Sequence, residues 1–229
     1  LIYAKFQIPL NRLDQKILNQ QSQHWEKNFS NKPEMFGLGP SFPAKKAIKT
    51  FKENNITKII ELGAGLGRDT IFFAQNSIYV EALDYSTFAI NKINQKAKEL
   101  NLSKFIKASL YDVREKLPFD NERFQGCFSH MLYCMALSNA NIENLNNEIH
   151  RVIKNNGINI YTVRHTDDGD YKKGIHRGEN LYENDGFIVH FFSKEKIKKL
   201  SEVFNNFEIG NFEEGKFPRR LFFVKNKKI

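Results

Sequence analysis

Three carboxylates and a run of glycines are the side chains here whose types and spacing best suit chemistry. The stretch Ile59-Ile60-Glu61-Leu62-Gly63-Ala64-Gly65-Leu66-Gly67-Arg68-Asp69-Thr70 reads as a buried strand, a glycine-rich turn and a helix start. Glycine has no Cβ, so a ligand can lie against the backbone, and a helix N-terminus offers unpaired N–H donors. Such a loop at the carboxyl edge of a parallel sheet is the general design of nucleotide-type cofactor sites. The spacing is G-x-G-x-G, with Arg68 where the dinucleotide fingerprint has its third glycine, and no Gly-Lys-Ser/Thr follows to make a phosphate-binding P-loop. Asp84 ends the next strand, where a carboxylate can take hydrogen bonds from both hydroxyls of a ribose. NAD enzymes use the same arrangement, so Asp84 marks a ribose without saying which; a plain helix-capping aspartate is the alternative.

These residues need a frame. From about Thr57 the chain alternates short β-branched runs with amphipathic stretches, the pattern of a parallel sheet flanked by helices. Predicted strands are Lys58–Leu62, Ile78–Leu83, Lys104–Ser109, Phe124–His130 and Ile158–His165; predicted helices are Arg68–Gln75, Ser86–Leu100 and Ile142–Lys154. Ser86 is a good N-cap, and Asn156-Gly157 should stop the third helix. A helix opening at Ser193 is followed by strands Phe207–Glu213 and Arg220–Lys225, joined by Glu214-Gly215-Lys216-Phe217-Pro218 and therefore antiparallel. A helical lead spans roughly Arg12 to Phe29, and another helix starts at Ser41 with Pro43 in its first turn. The expected fold is α/β: a Rossmann-like, seven-stranded, mostly parallel sheet with an antiparallel C-terminal hairpin and helices on both faces.

In order along the chain, these elements resemble the class I S-adenosylmethionine (SAM) dependent methyltransferases. Glu61 to Gly67 is similar to that family's motif I, (Glu/Asp)-x-Gly-x-Gly-x-Gly. Asp84 stands where the family binds ribose. Asp112 to Phe119 resembles its Asp-x-x-x-x-Leu-Pro-Phe segment, whose acid and following N–H address adenine. Phe124–His130 is similar to its Phe-Asp-x-Val strand, with Gln125 replacing an acid that is mainly structural there. The resemblance implies SAM as cofactor, S-adenosylhomocysteine (SAH) as product, and a cofactor set of Glu61, Gly63, Ala64, Gly65, Gly67, Asp69, Asp84, Tyr85, Ser86, Asp112, Val113 and Ser129.

Acceptor residues are sought outside the shared core. Trp25 to Pro40, with Trp25 and Phe36, resembles the amino-terminal lid of small-molecule members, including the tellurite-resistance and thiopurine methyltransferase branch. Residues 1–40 are thus expected to be a helical lid, and 164–192 a long substrate-side loop inserted into a single domain of 1–229. His130 and His165 end the fourth and fifth strands, at the ligand edge, and Tyr133 follows closely. These three are the candidate catalytic residues, and Arg164 and Arg177 join Trp25 and Phe36 on the acceptor side. His24, His150 and His190 read as packed or solvated. The cluster His165, Asp167, Asp168 and Asp170 reads as a solvated loop, so no metal is expected, although catechol-type members use one.

Composition limits the alternatives. The 229 residues, 41% hydrophobic and 27% charged, suit one large soluble domain. No run reaches the ~20 apolar residues of a membrane span, and Leu1–Leu10 is broken by Lys5 without a cleavage-like site. A cytoplasmic protein is expected, with native residues before Leu1 left open because the chain does not begin with Met. Cys127 and Cys134 read as core residues, too few for a disulfide framework. The net charge of +9 raises nucleic acid as a partner, but lysines are spread along the chain, so a small-molecule acceptor is favoured. Methylation of RNA or protein, non-catalytic SAM binding and an NAD enzyme are the competing readings. The oligomeric state, monomer or homodimer, is not legible.

Overall fold

Neighbouring residues of β1 (Lys58–Leu62) already separate the two faces of the sheet. Side chains alternate along a strand, and Ile59 packs with one apolar cluster while Ile60 packs with another. The computed structural model describes residues 13–215 and 219–229. Within them run α1 (Gln15–Asn31), α2 (Phe42–Glu53), β1, α3 (Arg68–Gln75), β2 (Tyr79–Asp84), α4 (Thr87–Glu99), β3 (Ile106–Leu110) and β4 (Phe124–His130). Then follow α5 (Asn139–Val152), β5 (Ile153–Arg164), β6 (Ile175–His176), β7 (Leu181–Asn184), β8 (Phe187–His190), α6 (Lys194–Ser201), β9 (Asn206–Glu214) and β10 (Arg219–Lys227).

The main sheet has seven strands in the order β3-β2-β1-β4-β5-β10-β9. β1 to β5 pair in parallel, and β10 runs antiparallel to both β5 and β9. This is the Rossmann-like methyltransferase fold. Helices α2, α3 and α4 cover one face through Phe51, Phe73 and Ile93, and α5 and α6 cover the other through Ile149 and Ile197. Phe73 is fully buried, with its ring 5.0 Å from that of Phe128; truncating such a core aromatic typically costs about 3–5 kcal/mol. The strand order reverses between the parallel neighbours β1 and β4, and a crevice opens there at the carboxyl ends of the strands. α1 lies across that edge and packs on α4 and β8.

Serines set the helix starts. Ser41, Ser86, Ser138 and Ser193 each accept an N–H of the first turn. Ser138 forms a capping box with Asn141, so α5 begins before the expected Ile142. It also ends earlier. Asn156-Gly157 does not stop this helix; it lies inside β5, where the register against β4 slips between Phe124 and Gly126 and Asn156 takes φ 63°. The segment 164–192 is not a structureless loop either, because β6, β7 and β8 form a small antiparallel sheet within it. Lys216 to Pro218, in the predicted hinge, and Arg12, at the start of the predicted lead, lie outside the described residues.

Candidate active site

The glycine loop sits in the crevice between β1 and α3. Gly67 has φ +78°, and a Cβ there would lie 2.5 Å from Ile93 Cγ1 of α4. Its missing side chain serves the packing of α3 against α4, and Gly67 does not line the cavity, contrary to the expectation of a cofactor contact. Gly65 does line it, and its N–H donates to Asp84 Oδ2 at 2.8 Å. Asp84 Oδ1 accepts from Ser86 N–H at 2.9 Å. Burial dominates over these bonds, so the Asp84 carboxyl is pushed up to about 6.

Glu61 lies beside it, fully buried, with Thr70 donating to its Oε2 at 2.6 Å. Burial and then the neighbouring Asp69 hold its pKa well above the carboxylate range. Two desolvated carboxyls with no paired cation among the described residues, together with a loop where the backbone is bare, fit a ligand offering hydroxyls and a positive charge. That is the donor set of SAM. Asp69 belongs to the frame instead: Ser41 N–H and Ser41 Oγ reach its two oxygens, both at 2.7 Å. It therefore anchors α2 while also lining the cavity.

These groups open on one cavity of about 640 Å³, whose wall also includes Ala64, Tyr85, Val113, Trp25, Phe36, His130 and Arg164. Asp112 is turned away. Arg114 folds back on its carboxylate through Nε and Nη2 and reaches on to Asn19 of α1 at 2.5 Å. Burial opposes ionisation of Asp112, but the Arg114 bonds win and hold its pKa below the usual value. It borders only a recess of about 20 Å³ that shares Tyr85 and Val113 with the main cavity. The expected adenine contact is thus an intrachain ion pair. Ser86 is engaged by Glu26 of α1 at 2.5 Å, and Ser129 is buried inside β4; neither lines the cavity.

Of the three catalytic candidates, His130 alone faces the cavity. Its Nδ1 lies 2.8 Å from Thr162 Oγ1, which also accepts the Met131 N–H at 3.0 Å. Its Nε2 lies 3.5 Å from Glu214 Oε2 at the end of β9. The bond to His130 and its charge hold the Glu214 carboxyl below its ordinary range, against its partial burial. Tyr133 is excluded from the cavity. Beyond β4, Met131 takes φ 64°, and the turn drives Tyr133 into the core, stacked 4.4 Å from Tyr161. His165 is one residue past Arg164 and so faces the other way, its ring 3.9 Å from that of Phe222.

In the acidic cluster after β5, Asp167 and Asp170 are exposed as expected, but Asp168 is not. Asp168 is buried and binds the Arg164 guanidinium at 2.5 and 3.0 Å, with Asp170 at 2.7 Å. Arg177 pairs with Glu183 at 2.6 Å outside the cavity. Both expected acceptor-binding arginines are therefore neutralised within the chain. His190 is buried, with Nδ1 on Leu137 O and Nε2 on Lys196 Nζ; burial and then that ammonium lower its pKa to about 3. Among the described residues no cluster of three or more His, Cys, Asp or Glu suits a metal ion, and no helix is long and apolar enough to cross a membrane.

Glu214, Thr162 and Arg68 were missed as site residues. Arg68 carried a signal, since it breaks the dinucleotide spacing. Thr162 and Glu214 carried none, because only the pairing of β5 and the hairpin with β4 brings them to His130.

Residues 59–157 match a family model described as "Methyltransferase domain". No curated protein matches the chain in sequence. Similar solved structures include a Burkholderia thailandensis 1,6-didemethyltoxoflavin-N1-methyltransferase with bound 1,6-didemethyltoxoflavin and SAH. It shares 15% identity, covering 95% of this chain and 91% of that one, at TM-score 0.74. TehB from Haemophilus influenzae shares 15% identity over 90% of this chain and 67% of that one, at TM-score 0.65. The [4+2]-cyclase SpnF shares 11% identity over 93% and 97%, at TM-score 0.69. At these identities the likeness is one of fold.

Proposed function

We propose that the chain is a SAM-dependent methyltransferase of class I whose acceptor is a small molecule held in the cavity beside His130, a reading supported by the match of residues 59–157 to a methyltransferase family model. The observation that carries this reading is the convergence of two unlike ends on one cavity. Asp84, Glu61 and the glycine loop lie at one end, and the His130–Glu214 pair at the other. In this reading the described residues belong to one domain, with 13–40 as lid and 164–192 as an acceptor-side insertion. The same reading places the reaction in the cytoplasm, in keeping with two free buried thiols, Cys127 and Cys134.

When bound, SAM supplies an electrophilic methyl carbon, the C–S electron pair staying on sulfur as the acceptor's lone pair forms the new bond. The chain's contribution is alignment and exclusion of water, which can lower such a barrier by about 7–11 kcal/mol at best. Gly65 and Asp84 would hold the ribose end, and Glu61 would face the ammonium. His130 takes the acceptor's proton. In the tautomer that directs Nδ1–H at Thr162, Nε2 is left to accept the proton, and the resulting imidazolium then faces Glu214.

A nucleic-acid acceptor draws support from the net charge of +9. Against it, the cavity wall mixes Asp170, Asp185 and Glu214 with its arginines and is not a basic groove. Calorimetry with SAM, SAH and NAD tests the reading, with Asp84→Ala as control. Micromolar binding of the two sulfur compounds, lost in Asp84→Ala and absent for NAD, is expected. NAD binding, or no binding, overturns it.

A further inference from the structure

The acceptor end of the cavity has a composition that selects for shape and charge. Its wall is aromatic and apolar: Trp25 and Phe36 come from the N-terminal segment, Phe187, Val189 and Phe191 from the insertion, and Met135 from the segment after β4. Trp25 lies 4.9 Å from Phe187 and 6.2 Å from Phe36, centroid to centroid, with tilts of 58° and 32°. These rings meet the cavity as an aromatic corner, against which a flat ring can stack or present an edge.

The charges at this end are already balanced. Arg164 is bonded to Asp168 and Asp170, Arg177 is spent on Glu183 outside the cavity, and Arg219 stands opposite Glu214 in the β9–β10 register. Asp185 sits on the exposed β7–β8 turn. A carboxylate acceptor would meet guanidiniums already neutralised, and an ammonium would compete with Arg68 and His130 for Glu214. Of the other polar side chains in the wall, Tyr111 donates to Lys116 O, Asn184 donates to Lys173 O and Lys96 enters from the last turn of α4; the His130 imidazole, held by Thr162, is the group suited to take a proton from an acceptor.

Resting on the methyltransferase reading above, we infer that the acceptor is a planar, uncharged ring compound that presents a dissociable O–H or ring N–H to His130. Trp25, Phe36 and Phe187 bind the ring, and His130 selects the O–H or N–H edge. The proton lost by the acceptor goes to His130 Nε2.

A matched set of probes separates these elements. 1-Naphthol, 1-naphthoate and 1-naphthylmethylamine carry one ring system as a neutral hydroxyl, an anion and a cation, and decahydro-1-naphthol keeps the hydroxyl without planarity. Calorimetry is run on the full chain saturated with SAH, whose binding is established first, so that failure of the cofactor reading is seen separately. The expected result is 1-naphthol binding at least tenfold more tightly than each of the other three. Phe187→Leu should lose at least fivefold in 1-naphthol affinity while SAH affinity stays within twofold. Tighter binding of the anion or the cation, equal binding of the saturated alcohol, or no binding of 1-naphthol to the SAH complex would overturn the proposal.

Discussion

Arg68 Nη1 donates to the carbonyl oxygen of Phe36 across 2.6 Å, tying the first residue of α3 to the loop that covers the cavity. The same guanidinium lies 5.7 Å from the centre of the Phe36 ring and 4.0 Å from Glu214. One side chain thus joins the glycine loop, the N-terminal segment and the hairpin that carries the partner of His130. Arg68→Met should loosen the segment around residues 32–40, and limited proteolysis there should speed up. A charged hydrogen bond of about 1.5–3 kcal/mol is at stake, so acceptor KM should rise about tenfold while SAH affinity changes little.

His130 and Glu214 make a prediction in pH. His130→Ala should lower kcat by about 10²–10⁴-fold, the usual worth of a general base, and leave SAH binding intact. His130 holds the Glu214 carboxyl down, so in His130→Ala that carboxyl should titrate at higher pH, read by carbon NMR. Arg68 and Arg219 also hold it down and limit the rise. A Glu214 titration that is unchanged in His130→Ala would dissolve the pair and remove Glu214 from the mechanism.

The burial of Asp84 has two consequences of opposite sign. Its folded-state pKa of about 6 lies above the ordinary 3.8, so the native state holds this proton more tightly than the unfolded chain does. Stability from this group is therefore present at low pH and is lost as pH rises from about 4 through 6. Asp84→Asn should stabilise the ligand-free protein at pH 8, by on the order of 1–3 kcal/mol, read as a rise in Tm. Ribose hydroxyls prefer the ionised form, so SAH affinity should weaken as pH falls through 6 in the native chain. In Asp84→Asn it should be weaker at pH 8 and flat across that range.

Gln125 yields a stability test away from the cavity. Its Oε1 accepts from Thr57 N–H at 2.8 Å, Lys58 N–H at 3.0 Å and Thr57 Oγ at 3.1 Å, pinning the start of β1 to β4. The amide thereby fills the structural place of the acid usual in this strand. Gln125→Leu hands these donors, exposed at Thr57 and half-buried at Lys58, to water and should cost about 0.5–1.5 kcal/mol, measured as a lower urea midpoint at unchanged slope. Gln125→Glu keeps the acceptor and should stay within about 1 kcal/mol of the native chain.

The glycine loop, Asp84 and the order of strands and helices were legible from the sequence alone, and the reason is locality. A strand, a tight turn and a helix start adjoin in the chain, and period-two and helical patterns mark their buried faces over a few residues. The cofactor end of the cavity is built almost wholly from such neighbours. The acceptor end is not. His130, Thr162, Glu214 and Arg68 come from four separate segments, and only the pairing of β4 with β5 and the antiparallel return of β10 and β9 bring them together. Tertiary structure also decided which residues stayed out. A single left-handed residue, Met131, sent Tyr133 into the core, and strand alternation turned His165 away from the face that Arg164 presents. Ion pairing then removed Asp112, Arg164 and Arg177 from ligand duty, since a charge near a partner in a low-dielectric wall is held by that partner first. Local sequence therefore determined the glycine loop and Asp84 at one end of the cavity, and long-range packing and charge balance decided which side chains line the other.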